Sequence, residues 1–598
     1  MAYYARPTSV DEVTDYVVGR VVDQLGIEHS QIKRWKDDQQ PVNRDRHLPI
    51  PDEWTTRIED SSTLWENEMS TTASLPETTQ VGVQQAGPDL RSWLATLEAA
   101  GQLRRVTASV DWNEEIGAIT RANLSLGGPA LLFEKIAGHE ATRCTKFLTS
   151  AIGNRRQIQL LLGLPENTSD SAIVRHLRET FKSPIPPRVV KTGPVKENIV
   201  ESDDIDLWQF PAPKWHATDG GRYIDTFCGV VTEDKVTGRD NIGVYRGMIV
   251  DRDKIAKLMV PTQGWGGHFQ EYKPEPMPVA VVYGWHDVLP FCAGSPFPKD
   301  VCEWDMMGAL LGRPVDLVAC ETVPLHVPAS AEIVVEGFLD PDPATFMEEG
   351  PFAEYPGYLD GHPAPTPVLR VTRITHRNDP VLRGTLEGMR PGFLVEDSMC
   401  NYARSAIAWN VLDGLGVGGV TDVWMSQVSN GTNIVVQIHK AYRGHAQQVA
   451  AALWGTSGSG WFYKHVMVVE EDIDIHDPEA LDWAMAYRVN AGLGDIAFYG
   501  LTLGSPLDPS TPPEKANMAK YGSGEWHRVL IDATRSWEFE PRPEWGGRHY
   551  PAINKIAPEL ESRVAARWEE YGIGVPYRDN ARRELLTMEQ LSRRLPDV

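Results

Sequence analysis

The sequence predicts a multidomain α/β protein, and three observations carry the prediction. Its 598 residues exceed what one core holds, because single cores stop growing near ~250–300 residues and longer chains divide. From about residue 200 to 390 the chain is dominated by β-branched runs broken by Gly, Pro and Asp. Beyond 390, helical and strand-like segments alternate, which is the rhythm of an α/β domain.

The elements follow in chain order. Within residues 1–36, "RPTSVDEVTDYVVGRVVDQLG" places Ser9 and Glu12 as a capping box, recurs Val10, Val13, Val17, Val21 and Leu25 at helical spacing, and closes at Gly26. Residues 37–87 are polar, Pro- and Thr-rich and without sustained period, so they read as a linker or disordered arm. An N-terminal α/β block is expected over 88–200. It opens with "PDLRSWLATLEAAG", where Asp89 can cap, Leu90, Trp93, Leu94 and Leu97 form the apolar stripe, and Gly101 stops the helix. Over 201–390, "FCGVVTED", "VYRGMIVDR", "PVAVVYGW", "VDLVAC", "AEIVVEGFL" and "VLRVTRITHR" predict strands of a β-barrel or sandwich. Over 391–598, helical "MCNYARSAIAWNVLDGLG" and "YRGHAQQVAAALWG" alternate with the strands "DVWMSQ", "NIVVQIHK" and "HVMVVEED". A last helix, "PELESRVAARWEEYG", should pack Leu560, Val564, Trp568 and Tyr571 and stop at Gly572.

A formal charge of −24 repels phosphate backbones and anionic lipid, which argues against nucleic-acid and membrane-surface roles. The six cysteines include no C-x-x-C pair, so reduced thiols are expected. No run of ~18 apolar residues or signal-like N-terminus occurs, and a cytoplasmic protein is expected. "GLGVGG" (414–419) matches G-x-G-x-x-G, but a dinucleotide turn needs strand before and helix after; here the order is reversed, so the glycines should end a helix. His286, His326 and His376 lie in or beside strands and read as structural. So do Glu332 and Glu336; Asp300 and Glu321 carry no assignment.

"EEGPFAEYPGY", residues 348–358, sets Glu349 and Glu354 five positions apart around a Gly-Pro-Phe corner. In isolation the pair reads more readily as a solvated turn with ordinary surface carboxylates. Its company changes that reading. "NIGVYR" (241–246), "SPFPKDVCE" (295–303) and "VPASAEIVVEGFLDPDPATFMEEGPFAEYPGY" (327–358), followed by "VTRITHRNDPVL", resemble in one order the UbiD family of reversible decarboxylases. The likeness runs from "DLRSWLATLEAAGQLRRV" at 89 through "DIDIHDPEALDWAM" near 472 to about 535. The first stretch, "AYYARPTSVDEVTDYVVGRVVDQLGIEHSQIKRW", resembles the C-terminal tail of UbiX-type flavin prenyltransferases, with Tyr4 and Arg20 where that family binds its prenyl phosphate. The nucleotide-binding body is missing, so prenyl transfer is not expected; a fusion remnant, or a start assigned upstream of Met69, would explain the stretch.

The resemblance implies an N-terminal α/β block, a central split β-barrel of the flavin-reductase type that holds the cofactor, and a C-terminal α/β domain for homodimerisation. It implies prenylated FMN supplied by a flavin prenyltransferase, with Mn2+ or Mg2+ and K+, acting on an aryl or unsaturated carboxylic acid to release CO2. Removing CO2 from an sp2 carbon leaves electrons that no side chain can accept, so a cofactor must. Arg246, Glu349 and Glu354 match the family's catalytic network, Glu349 orienting Arg246 and Glu354 serving as general acid. Asn241 and Glu303 match its metal ligands, and oxygen donors suit hard cations. A gap-free alignment of "TQGWGGH" puts Gly264 where the family has its His, and His268 is taken as the imidazole ligand. Gln263 belongs to the same cofactor loop, and Lys440 resembles the phosphate-binding lysine. Trp265, Phe393, Val395 and Met399 are expected to line a pocket for a flat ring with few hydroxyls, such as a phenazine, indole, pyrrole or furan acid. Two rival readings stay open: a flavin oxidoreductase on a split barrel, and a non-catalytic flavin-carrying subunit.

Overall fold

The structure, a computed structural model, describes residues 89–574 apart from 361, 390–393, 457–460 and 555. The expected N-terminal helix with Tyr4 and Arg20, the arm at 37–87, and Phe393 lie outside the described residues.

Helix α1 (Leu90–Ala99) forms as the sequence predicts: Asp89 accepts from Ser92 N, the Ser92 hydroxyl closes the capping box, and Leu90, Trp93, Leu94 and Leu97 are buried. The helix leads into a four-stranded sheet of Leu103–Val106, Ala130–Phe133, Lys146–Thr149 and Val381–Arg383. The last strand returns from some 230 residues downstream to lie parallel to Lys146–Thr149. Residues from both sides of the sequence-predicted boundary at 200 therefore share one sheet.

The middle of the chain is a curled half-barrel sheet of nine strands: β1 (Asn198–Glu201), β2 (Tyr223–Asp225), β3 (Gly229–Glu233), β4 (Asp240–Gly243), β5 (Gly247–Asp251), β6 (Lys254–Lys257), β7 (Met277–Tyr283), β8 (Ile333–Leu339) and β9 (Val368–His376). Their spatial order is β2-β5-β6-β9-β8-β7-β3-β4, with β1 also on β9, and every pairing is antiparallel. Successive side chains of a strand point to opposite faces, and here both faces are covered. Ala280, Val282 and Val334 join one core; Val279, Val281, Ile333 and Val335 join another. This is why β7 and β8 read as apolar runs and not as alternating ones. Against the sheet lie α2 (Gly264–Tyr272) and α3 (Glu303–Leu311).

The C-terminal part packs α4 (Asn401–Gly414) and α5 (His445–Trp454) on a mixed sheet of β10 (Val420–Met425), β11 (Asn433–Ile438), β12 (His465–Glu470), β13 (Ile496–Gly504) and β14 (Gly524–Asp532), in the order β10-β11-β12-β14-β13. Gly416 and Gly419 follow α4 at φ of +74° each, so the glycine run ends a helix, as its order along the chain implied. The terminal helix departs from expectation. It splits at Ala566, and none of Leu560, Val564, Trp568 or Tyr571 is buried. Amphipathic spacing marks an apolar face but does not supply the surface that covers it. All six cysteines are unpaired thiols. No described helix is long and apolar enough to cross a membrane.

Candidate active site

Two short antiparallel pairs build the Gly-Pro corner: Met347–Glu349 with Ala364–Thr366, and Phe352–Ala353 with Leu359–Asp360. Gly350 sits between them at φ +94°, a conformation that favours glycine. Gly220 lies so close that a Cβ there would meet the Gly350 carbonyl oxygen at 2.0 Å, and its N–H donates to the Pro351 carbonyl at 2.8 Å. The Ala353 N–H donates to Asp219 Oδ1 at 3.2 Å, and the Glu354 N–H to the Tyr358 carbonyl at 3.0 Å. The separation of the two carboxylates is thus fixed by backbone.

Arg246, in the link between β4 and β5, meets both of them. Its Nε and Nη2 donate to Glu349 Oε1 and Oε2 at 3.0 and 2.9 Å, and Nη1 donates to Glu354 Oε1 at 2.5 Å. The Tyr223 hydroxyl of β2 also donates to Glu349 Oε1 at 2.7 Å. Glu349 is 2% exposed and Glu354 9%. Burial, with Glu349 adding to it, pushes the Tyr223 phenol far above its ordinary range, so it stays protonated and can donate to Glu349. One guanidinium faces two carboxyl groups. A planar fork can serve one bidentately and still reach the other, which an ammonium cannot do with the same geometry. The Phe352 ring lies 5.5 Å from the guanidinium carbon and 4.3 Å from the Tyr223 ring, shielding the cluster.

The cluster opens on a cavity of about 890 Å3 that Asn241, Gln263, His268 and Glu303 also line. Glu303, first residue of α3, accepts from the Ile242 N–H at 3.1 Å; burial pushes its carboxyl up to about 7. Asn241 donates its Nδ2 to the Tyr245 hydroxyl at 3.3 Å, and a Cβ on Gly264 would stand 2.0 Å from Asn241 Oδ1. Gly264 therefore occupies ground that any side chain would take from Asn241. The His268 imidazole turns its Nδ1 to Thr232 Oγ1 at 3.0 Å; burial lowers its pKa, against Glu271 and Asp234. Among the described residues no three His, Cys, Asp or Glu gather closely enough to hold a metal.

Other expected residues fall off the cavity wall. Lys440 Nζ donates to Thr534 Oγ1 and the Arg535 carbonyl, each at 2.8 Å. Trp265 is buried behind the wall, stacked on Tyr245 at 4.5 Å. Val395 and Met399 are buried too, Met399 Sδ accepting from Gln427 Nε2 at 3.5 Å. Apolar side chains next to a site sink into the core when it offers them more contact. The wall is formed instead by Tyr355, Glu387, Trp461, Phe462, Leu503 and Leu507. Sequence reasoning missed Tyr223 and Glu387; "GRYIDTF" shows Tyr223 only as a strand residue, and "TLEGM" shows Glu387 as a lone acid between apolar neighbours.

Comparison with known proteins gives a consistent result. Profiles described as the N-terminal, Rift-related and C-terminal domains of 3-octaprenyl-4-hydroxybenzoate carboxy-lyase match residues 94–177, 188–390 and 397–533. An uncharacterized protein of Aquifex aeolicus is 31% identical over 511 residues, covering 81% of this chain and 99% of its own. Among solved structures, an evolved dimeric form of the UbiD-class enzyme HmfF from Pelotomaculum thermopropionicum, in complex with prFMN, is 30% identical, with a TM-score of 0.65 over 81% of this chain and all of its own. The vanillic acid decarboxylase of Sedimentibacter hydroxybenzoicus in closed form is 29% identical, with a TM-score of 0.70 over 81% of this chain and 98% of its own.

Proposed function

The chain belongs to the UbiD family of carboxy-lyases, and on that premise we propose that it reversibly decarboxylates an aromatic, heteroaromatic or α,β-unsaturated carboxylic acid with prenylated FMN. One observation carries the reading: Arg246 is held between Glu349 and Glu354 on the wall of a cavity large enough for a flavin and a flat acid together. A flavin oxidoreductase or a flavin-carrying subunit has no use for a buried proton donor beside a guanidinium.

The cavity suits the cofactor. Its walls mix apolar side chains with the open face of Gly267, against which an added Cβ would meet nothing within 4 Å. Gln263 and the start of α2 would approach the phosphate end, whereas Lys440, the expected phosphate lysine, is engaged off this wall by Thr534 and the Arg535 carbonyl. Asn241 Oδ1 and the Glu303 carboxylate would hold Mn2+ or Mg2+ against that phosphate, with K+ alongside; a buried carboxyl without a cationic neighbour is a natural cation ligand. His268 is the proposed imidazole. Prenylated FMN, when bound, supplies the electron sink that side chains lack.

The chain's own residues do the rest. Glu349 and the Tyr223 hydroxyl fix the plane of Arg246, and Arg246 Nη1 fixes Glu354. As the carbon–carbon bond to the carboxylate breaks, the Glu354 O–H bond breaks and a C–H bond forms at the carbon that lost CO2; solvent then returns a proton to Glu354. Phe352 and Tyr355 exclude bulk water, which would otherwise compete for that proton. The proposed homodimer is supported by edge strand β13, on which Phe498 and Leu501 are each 78% exposed, an unusual state for a free sheet edge.

Co-expression with a flavin prenyltransferase, mass spectrometry of the bound cofactor and a screen of aryl acids for CO2 evolution test the proposal. The mass of the prenylated cofactor together with CO2 from at least one acid is expected; unmodified FMN with hydride transfer from NADPH would overturn it.

A further inference from the structure

Glu387 stands on the cavity wall beside Glu354, and the mechanism above makes no use of it. Its Oε2 is shielded from solvent and has no hydrogen-bond partner among the described residues. The charged groups that bear on it most are Asp397, Glu354 and Glu396, with Arg404 opposing them. Arg404 has no donor to spare. Its Nε and Nη2 donate to the Gly294 carbonyl at 2.9 and 2.7 Å, Nη2 also to Asp397 Oδ1 at 2.7 Å, and Nη1 to Asn401 Oδ1 and Asn430 Oδ1 at 2.9 and 2.7 Å. An ionised Glu387 would thus be a half-buried anion among three carboxyl groups with nothing donating to its shielded Oε2, a costly arrangement. Burial, reinforced by Asp397 and Glu354, holds its carboxyl well above the usual range. A protonated carboxyl has the opposite need, since its O–H must find an acceptor.

We infer that Glu387 is a specificity-determining residue: a carboxylic acid that donates its O–H to a neutral acceptor on the substrate's ring, such as a ring nitrogen or a carbonyl. This deepens, and rests on, the decarboxylase reading. A second carboxylate on the substrate would add charge where Asp397, Glu354 and Glu396 already crowd, so the preferred substrate is a monocarboxylic acid whose ring carries an uncharged acceptor. All-carbon rings leave the donor unpaired, which costs affinity.

Two measurements decide it. Infrared difference spectra of the holoenzyme at pH 8, parent against Glu387→Gln, should show loss of a protonated carboxyl C=O band; loss of carboxylate bands instead would overturn the assignment. Binding of quinoline-6-carboxylate and naphthalene-2-carboxylate, followed by flavin fluorescence, should favour the quinoline about tenfold in the parent and in Glu387→Gln, which still donates, and equally weakly in Glu387→Leu. An unchanged preference in Glu387→Leu would overturn the role. CO2 release from the same acids reports separately on the decarboxylase reading: its absence, with the preference and the infrared band intact, would remove that reading and leave Glu387 as a binding donor.

Discussion

Replacing Glu349 by Gln keeps the shape of the side chain and removes its charge, so it isolates what the carboxylate does for Arg246. Glu349 accepts two guanidinium N–H bonds, at 3.0 and 2.9 Å, and the Tyr223 hydroxyl at 2.7 Å. Gln offers one acceptor oxygen and an NH2 that opposes another donor. One charge-assisted bond is therefore lost outright, worth ~1.5–3 kcal/mol, while Glu354 still compensates part of the buried cation; the net cost is about 2.5 kcal/mol. For a domain of ~150–250 residues that corresponds to a fall in Tm of roughly 5–10 °C. Catalysis should suffer through Glu354. With Glu349 neutral, the Arg246 cation bears more strongly on Glu354 and favours its carboxylate form, so proton delivery and kcat fall ~100-fold with KM little changed. Differential scanning fluorimetry of the cofactor-free protein and CO2-release kinetics of the reconstituted one read the two effects. An Arg246→Met, Glu349→Gln double variant should show coupling of ~1.5–3 kcal/mol. A Tm within roughly 1 °C of the parent, with kcat unchanged, would mean that the bidentate pair is incidental.

Three further outcomes are expected. Gly264→Ala drives a methyl to 2.0 Å from Asn241 Oδ1, so the purified variant should keep its circular dichroism spectrum but lose bound flavin, and a parental flavin-to-protein ratio would contradict the packing. Glu303 has a folded pKa of about 7 against an ordinary 4.5; the folded chain therefore keeps a proton that the unfolded chain has lost, and stability of the metal-free protein falls as pH rises from about 4.5 to 7 and is flat above. The fall is about 3 kcal/mol, so metal-free Glu303→Gln should melt above the parent at pH 8 and match it near pH 4.5; parallel melting curves against pH would contradict this. His268→Ala should lower the manganese content of the reconstituted enzyme, measured by plasma mass spectrometry, whereas unchanged content assigns the imidazole's place to another ligand.

What the sequence could reveal follows from how local each signal is. The caps of α1, the β-branched runs of β7 and β8, and the glycine stop after α4 depend on a few adjacent residues, and each formed as expected. The Arg246–Glu349–Glu354 cluster spans more than a hundred positions, yet the order of three motifs along the chain points to it. Other features depend on what lies across space. Val381–Arg383 joins the N-terminal sheet because that sheet has an open edge, which no neighbouring residue announces. Trp265 and Met399 are apolar and near the site in sequence, and the same properties suit a core position as well as a pocket. Glu387 is an unremarked acid until Asp397, Glu354 and Glu396 close around it. The apolar stripe of the terminal helix is real, but the described residues offer nothing that buries it.

The most direct measurement runs the reconstituted enzyme and its Glu354→Gln variant side by side in D2O with a turned-over aryl acid. The parent should release CO2 and leave one deuterium on the carbon that lost it, while Glu354→Gln should retain its flavin and lose at least ~100-fold in rate. Equal rates and equal labelling in the two proteins would show that the proton comes from elsewhere and that the carboxyl held by Arg246 is not the acid.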